Sequence, residues 1–152
     1  MTDAVWLHDD QQRAWRSLAA VILKLPSELE AQLQRDSGMT HFEYWVLALL
    51  SEADDRRLPL SDLAGQANAS LSRLSHVVTR LEKKGWVTRT RSGADARVTL
   101  AMLTAEGMTK VTAAAPGHVA AVRSLVFDGL DDRGVADLRR VCDAILTGID
   151  GT

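Results

Sequence analysis

Two stretches hold the side chains that could do chemistry. SLSRLSHVVTRLEKKG, residues 70–85, sets Ser70, Ser72, Arg73, Ser75, His76, Thr79 and Arg80 between leucines and valines. RTRSGADARVTLAML, residues 89–103, sets Arg89, Arg91 and Arg97 around a short turn that also holds Asp95. None of these spacings builds a nucleophile. Serine, histidine and aspartate occur, but no nucleophile elbow, P-loop or dinucleotide fingerprint does, so no enzyme is expected. What these residues can do is hold a polyanion. An arginine fork bonds two acceptors on a guanine edge at once. Serine hydroxyls and the N–H groups of a helix start can hold phosphate oxygens.

The charge balance supports that chemistry only when it is resolved along the chain. The 152 residues sum to a net charge of −2, which alone argues against nucleic acid. Between Arg56 and Arg97, however, nine Lys and Arg stand against three acids, and the acidic excess lies in the flanks. A basic centre with acidic flanks points to a polyanionic partner. Cys142 is alone, so no internal disulfide can form and a reducing cytoplasm fits. It falls in an apolar stripe and is expected in the core or in a subunit contact. His8 and His118 lack partners at metal-ligand spacing, so no metal and no other cofactor is expected. No apolar run approaches the ~20 residues of a membrane helix. The N-terminus lacks a signal-peptide pattern, so the expected location is cytoplasmic, with no membrane partner.

The elements that must position these residues follow from periodicity and caps. Trp15, Leu18, Ile22, Leu25, Leu29 and Leu33 mark an amphipathic helix from about Asp10 to Arg35. Pro26 predicts a kink there, with Ser27 and Glu30 able to cap a restart. Thr40 and Glu43 form a capping box before a core helix carrying Phe42, Trp45, Val46, Leu49 and Leu50. DDRRLP reads as a polar loop, Ser61 as the cap of a short helix, and GQANA as its break. Leu71, Leu74, Val77, Val78 and Leu81 give the next helix an apolar side, and Lys83, Lys84 and Gly85 end it. WVTRTR and RVTLAML alternate around SGAD as a β-hairpin. A helix over about 105–127 is expected to kink or break at Pro116-Gly117. Asp131 or Asp132 caps a last helix carrying Leu138, Val141, Cys142, Ile145 and Ile149. The fold class is mostly α with a small two-stranded β wing. Two short helices, a tight turn and a hairpin are the order of a winged helix-turn-helix, whose second helix enters the major groove of DNA.

Leu60 to Gly107, LSDLAGQANASLSRLSHVVTRLEKKGWVTRTRSGADARVTLAMLTAEG, resembles the multiple-antibiotic-resistance-regulator (MarR) family of repressors. The most specific matches are Asp95-Ala96-Arg97, the RLEKKGWV helix end and the LTAEG opening of the following helix. The resemblance implies one subunit over residues 1–152. Residues 10–38 and 105–150 are then dimerisation helices, and residues 40–103 the DNA-binding winged helix-turn-helix. It implies a homodimer on a pseudo-palindromic double-stranded operator. Asp95 would brace the wing by pairing with Arg89, Arg91 or Arg97, and the arginines would aim at phosphate or minor groove. Many members are switched by a small molecule. A pocket between the dimer helices and the winged helix would draw on Trp15, Arg16, His41, Tyr44 and Trp45, a set that suits a flat anionic aromatic such as a phenolate. The competing reading of Trp15 and Trp45 is as core residues. The competing function is a winged helix without ligand control, or one acting through protein contacts. The chain departs from the family where a turn glycine is common and QANA stands instead. Asn68 can take the positive φ such a turn needs.

Overall fold

The structure is a computed structural model that describes residues 5–151. The parts of the N-terminal and whole-subunit readings that rest on residues 1–4 and 152 lie outside the described residues. Helix α1 (Asp9–Ser37) starts from His8, whose ring accepts the Gln11 N–H while the Gln11 side chain accepts that of His8. It ends at Gly38, in the left-handed region at φ 63°. Pro26 lies inside α1, and the helix continues through it. The expected restart is absent. The Ser27 hydroxyl donates back to the Leu23 carbonyl at 3.4 Å, and Glu30 accepts the His41 N–H at 2.7 Å with one oxygen and the Gln34 side chain of its own helix at 3.4 Å with the other. A proline removes one backbone bond. The turns after it are held by burial of Leu29, Gln32 and Leu33.

Helix α2 (His41–Glu52) carries the expected Thr40–Glu43 capping box. The DDRRLP loop contains a strand that periodicity does not show. After Asp55 and Arg56, both at positive φ, β1 (Arg57–Pro59) pairs with the outer edge of the wing. Three residues are too few to display alternation, and the pairing is decided by the distant strand that offers its edge. Helix α3 (Leu60–Gln66) takes Pro59 as its N-cap residue without a side-chain bond, so Ser61 sits in the first turn and does not cap it. Asn68 has φ 51°, the left-handed conformation that the turn requires. Helix α4 (Leu71–Lys83) follows, capped by Ser70. Strands β2 (Val87–Arg91) and β3 (Thr99–Leu103) are antiparallel, with Val87 opposite Leu103 and Arg91 opposite Thr99. With β1 they form a three-stranded sheet in the order β1-β3-β2, one strand more than the hairpin alone.

Helix α5 (Ala105–Val122) runs through Pro116 unbroken. It is followed by a π-helical turn over Arg123–Phe127. Helix α6 (Asp132–Asp150) is capped by Asp131. The core forms where α1, α2, α3, α4, the sheet and α5 meet, around Leu33, Leu47, Leu50, Leu63, Leu74 and Leu81. By contrast, α6 buries none of its residues. Cys142 is exposed, which removes the reading of it as a core residue of the subunit.

Candidate nucleic-acid interface

Successive residues of an α-helix point about 100° apart. On α4 this gathers Leu74, Val77, Val78 and Leu81 on the buried side. The opposite strip is Ser72, His76, Thr79 and Lys83, spaced four, three and four residues. Sequence reasoning takes Lys83 only as a helix-end residue. Its spacing from His76 and Thr79 is the available clue that it shares the outward strip. Arg73 and Arg80 fall on the flank toward α2, while Ser75 and Glu82 fall on the flank toward β2. The Ser70 hydroxyl is used in the cap, accepting the Arg73 N–H at 3.1 Å.

The second flank carries the wing. Arg89 sends one Nη2 to the Ser75 carbonyl at 2.6 Å, the Ser75 hydroxyl at 3.3 Å and the Thr79 hydroxyl at 2.9 Å. Its Nη1 lies 3.2 Å from Glu82, whose other oxygen accepts the Arg89 backbone N–H at 3.0 Å. The expectation that Arg89 aims at phosphate or minor groove is corrected here. In this structure it is turned inward and ties β2 to α4. Strand alternation is the reason: two residues after buried Val87, Arg89 shares the inward face and stands opposite buried Ala101.

At the wing tip one of the three arginines takes Asp95. The carboxylate accepts from Arg97 Nε and Nη2, each at 3.1 Å, and from the Arg97 backbone N–H at 3.0 Å. The side-chain bond from Arg97, followed by its backbone bond, holds the Asp95 carboxyl below the ordinary value. Arg97 keeps 91% of its side chain exposed. Arg91 reaches back to the Ala96 carbonyl at 2.8 Å. Both remain at the exposed tip.

Arg80 is drawn elsewhere. Glu43, recognised from sequence only as a capping residue, is 3% exposed and accepts the Thr40 N–H at 3.0 Å. It also meets Lys84 Nζ at 3.0 Å and Arg80 Nε at 3.5 Å. This buried carboxylate therefore pins the last turn of α4 to the start of α2. Its removal strands no deeply buried cation, since Lys84 and Arg80 keep 36% and 53% exposure. Glu43→Ala is accordingly expected to lose about 2 kcal/mol, below the range for breaking a wholly buried pair. Glu43→Gln, which can still accept the cap bond, should lose less. Urea unfolding would measure both, and wild-type midpoints in the two variants would remove Glu43 from this role.

The five residues proposed for a small-molecule pocket do not come together within one subunit. His41 and Trp45, one turn apart, line a cleft of about 400 Å³ with Pro26, Glu30, Phe42, Ala67 and Arg73. The Tyr44 ring lies 4.4 Å from that of His118 on α5, and the His41 ring lies 5.4 Å from the same His118, so His41 and Tyr44 share that neighbour while Trp45 does not. Burial raises the Tyr44 hydroxyl pKa and lowers that of both the His41 and His118 imidazoles. Trp15 is 55% exposed on α1, and Arg16 donates to Gln12 of its own helix at 3.4 Å. Trp45 is 41% exposed, so neither tryptophan is a core residue of the subunit. Among the described residues, no cluster of His, Cys, Asp or Glu could hold a metal, and no helix is long and apolar enough to cross a membrane.

Comparison with known proteins places this geometry. Residues 39–99 match the MarR family. The fold is similar to that of Sco3205, a MarR family transcriptional regulator from Streptomyces coelicolor solved in complex with DNA. The TM-score is 0.93 at 41% identity, over 97% of this chain and 92% of that one. AbsC, a MarR family regulator of the same organism, gives 0.93 at 36% identity, over 98% of this chain and 100% of that one. CouR from Rhodococcus jostii RHA1, solved bound to p-coumaroyl-CoA, gives 0.74 at 26% identity, covering 84% and 87%. Curated relatives are matched over a shorter share: the chain spans about half their length, 57% of one and 43% of another. A helix with a polar outer strip braced to a basic wing, inside a sequence alignable nearly end to end with a DNA-bound regulator, leaves one conclusion: the chain belongs to the MarR family of DNA-binding transcriptional regulators.

Proposed function

We propose that two copies of this chain form a repressor that reads a pseudo-palindromic operator and is released by a small aromatic ligand. The observation that carries the dimer is α6. It is a 19-residue helix with no buried residue, yet Val135, Leu138, Val141 and Ile145 recur along one side of it. A long helix keeps an apolar stripe of this kind only against a partner. Exposed Ile22 and Leu23 on α1, and Leu125 and Phe127 beyond α5, extend the same need for cover. A two-fold dimer presents its two α4 helices to half-sites about 34 Å apart. Ser72, His76 and Lys83 then face base edges in the major groove, while the Thr79 hydroxyl stays with Arg89 and the Ser75 carbonyl. Ser70, Arg73 and Arg80 lie beside the backbone, with Ser75 at the wing side. Arg91 and Arg97 carry the wing to the flanking minor groove, while Arg89 positions it. The cleft beside Arg73, and the aromatic acyl group held by CouR, support the ligand. A cytoplasmic location goes with this role.

Selection of bound sequences from random DNA tests the first part. The expected product is an inverted repeat bound by two copies, with affinity falling steeply as salt rises. Arg97→Ala should weaken binding to all sequences alike and reduce the log–log salt slope by about 0.9 for each phosphate that is no longer neutralised. An unchanged slope and affinity would remove the wing from the DNA contact. For the ligand, 4-hydroxycinnamate should quench tryptophan fluorescence and weaken operator binding. Neither effect at millimolar probe would overturn that clause.

A further inference from the structure

Arg73 differs from the other arginines of the interface. Arg80 leans on Glu43, Arg89 is held by Ser75, Thr79 and Glu82, Arg91 by Ala96, and Arg97 by Asp95. Among the described residues, the Arg73 guanidinium has no hydrogen bond or ion pair. Its contact is the face of Phe42, with Cζ 4.1 Å from the ring centroid. Phe42 is half-buried, and a cation on an aromatic face makes no hydrogen bond, whereas a guanidinium on a carboxylate or phosphate makes strong, often paired, hydrogen bonds. Arg73 is therefore parked, not fixed.

Its parking place is a boundary. Arg73, Phe42 and Glu30 line two clefts at once. The outer one, about 660 Å³, continues along the polar side of α4 past Ser72 and His76. The inner one, about 400 Å³, runs under Pro26 to His41 and Trp45. We infer that Arg73 is the residue that couples the inner cleft to DNA. With operator bound, its guanidinium leaves Phe42 for the DNA backbone. With an aromatic anion in the inner cleft, ring against Trp45 and Phe42, the guanidinium becomes the counter-ion of that anion and is withdrawn from DNA. This rests on the ligand reading above and names the side chain that transmits it.

The same walls narrow the ligand. Arg73 is a permanent cation on the inner cleft, since arginine stays protonated in proteins. Glu30 shares the wall, with one oxygen accepting the His41 N–H. It repels a second carboxylate and accepts from a hydroxyl. The arrangement suits a flat molecule with a carboxylate at one end and a hydroxyl donor at the other, a hydroxylated aromatic acid. One guanidinium cannot serve ligand and DNA together, so each must weaken the other by the same factor.

The test uses the full chain, the selected operator and 4-hydroxycinnamate as the probe. In the wild type, saturating probe should weaken operator binding about tenfold, and bound operator should weaken probe binding equally. In Arg73→Gln, operator binding should start weaker and the effect of the probe should shrink below about twofold. Phe42→Leu, which keeps apolar fill but removes the aromatic face, should weaken the probe while leaving Arg73 free to reach DNA. If Arg73→Gln is still released about tenfold, the coupling role of Arg73 is overturned while the ligand reading stands. If calorimetry shows no binding of the probe to the wild type, the ligand reading falls and this inference falls with it.

Discussion

Gly107→Ala should destabilise the protein by about 3 kcal/mol, the largest single-residue effect expected outside the apolar core. A Cβ at this position would lie 2.1 Å from the Trp86 carbonyl oxygen and 2.8 Å from Leu103 Cδ1. Neither neighbour is free to yield. The Trp86 carbonyl accepts the Thr104 N–H at 3.0 Å, and the Thr104 hydroxyl donates to the Gly85 carbonyl at 2.7 Å. Thr104 also caps α5 by accepting the Gly107 N–H at 3.0 Å. The start of α5, the end of β3 and the loop between α4 and β2 thus meet at one point, and a methyl group there forces them apart. Operator binding should fall with stability, because the same point sets the angle between wing and α4. Gly93→Ala is the control. Its Cβ meets nothing within 4 Å, so a change below about 0.5 kcal/mol is expected. Equal unfolding curves for the two variants would show that the contact at Gly107 relaxes without cost.

Arg89→Ala should weaken operator binding about tenfold and lower stability by about 1–3 kcal/mol, the range for hydrogen bonds to a charged group. The informative readout is the salt dependence. Arg89 keeps 27% exposure, with Nη1 and Nη2 engaged by Glu82, Ser75 and Thr79 and its Nε buried, so its removal misplaces the wing and leaves the phosphate contacts in number as they were. The log–log salt slope should stay near that of the wild type, in contrast to Arg97→Ala. Arg89→Lys should recover only part of the stability, since an ammonium lacks the planar fork that spans these partners. A slope reduced by about one with normal stability would instead place Arg89 on the DNA.

Several features of this chain are legible in its sequence. Each depends on residues close along the chain. The Thr40–Glu43 box, the two-sided pattern of α4, the positive φ at Asn68, the hairpin and the Asp131 cap are such features. Caps and turns act over about four residues, and helix and strand periods repeat within one element. The direction of Arg89 is also in the sequence, two residues after apolar Val87, but its charge overshadows the alternation. The continuity of α1 and α5 through their prolines has a related cause: a proline costs one backbone bond, and burial of the neighbouring turns outweighs it.

What the sequence by itself determined, then, is the identity and order of the elements other than β1, and most of the polar strip that α4 presents. The tertiary structure alone decided which side chains across the chain meet. The pairing of β1 with β3, the grip of Glu43 on Lys84 forty-one residues away, and the parking of Arg73 on Phe42 all join separate elements. The Asp95–Arg97 pair is close in sequence, yet it too required the folded turn to choose among three arginines. Such contacts depend on how helices and strands pack in space, and no local period records that.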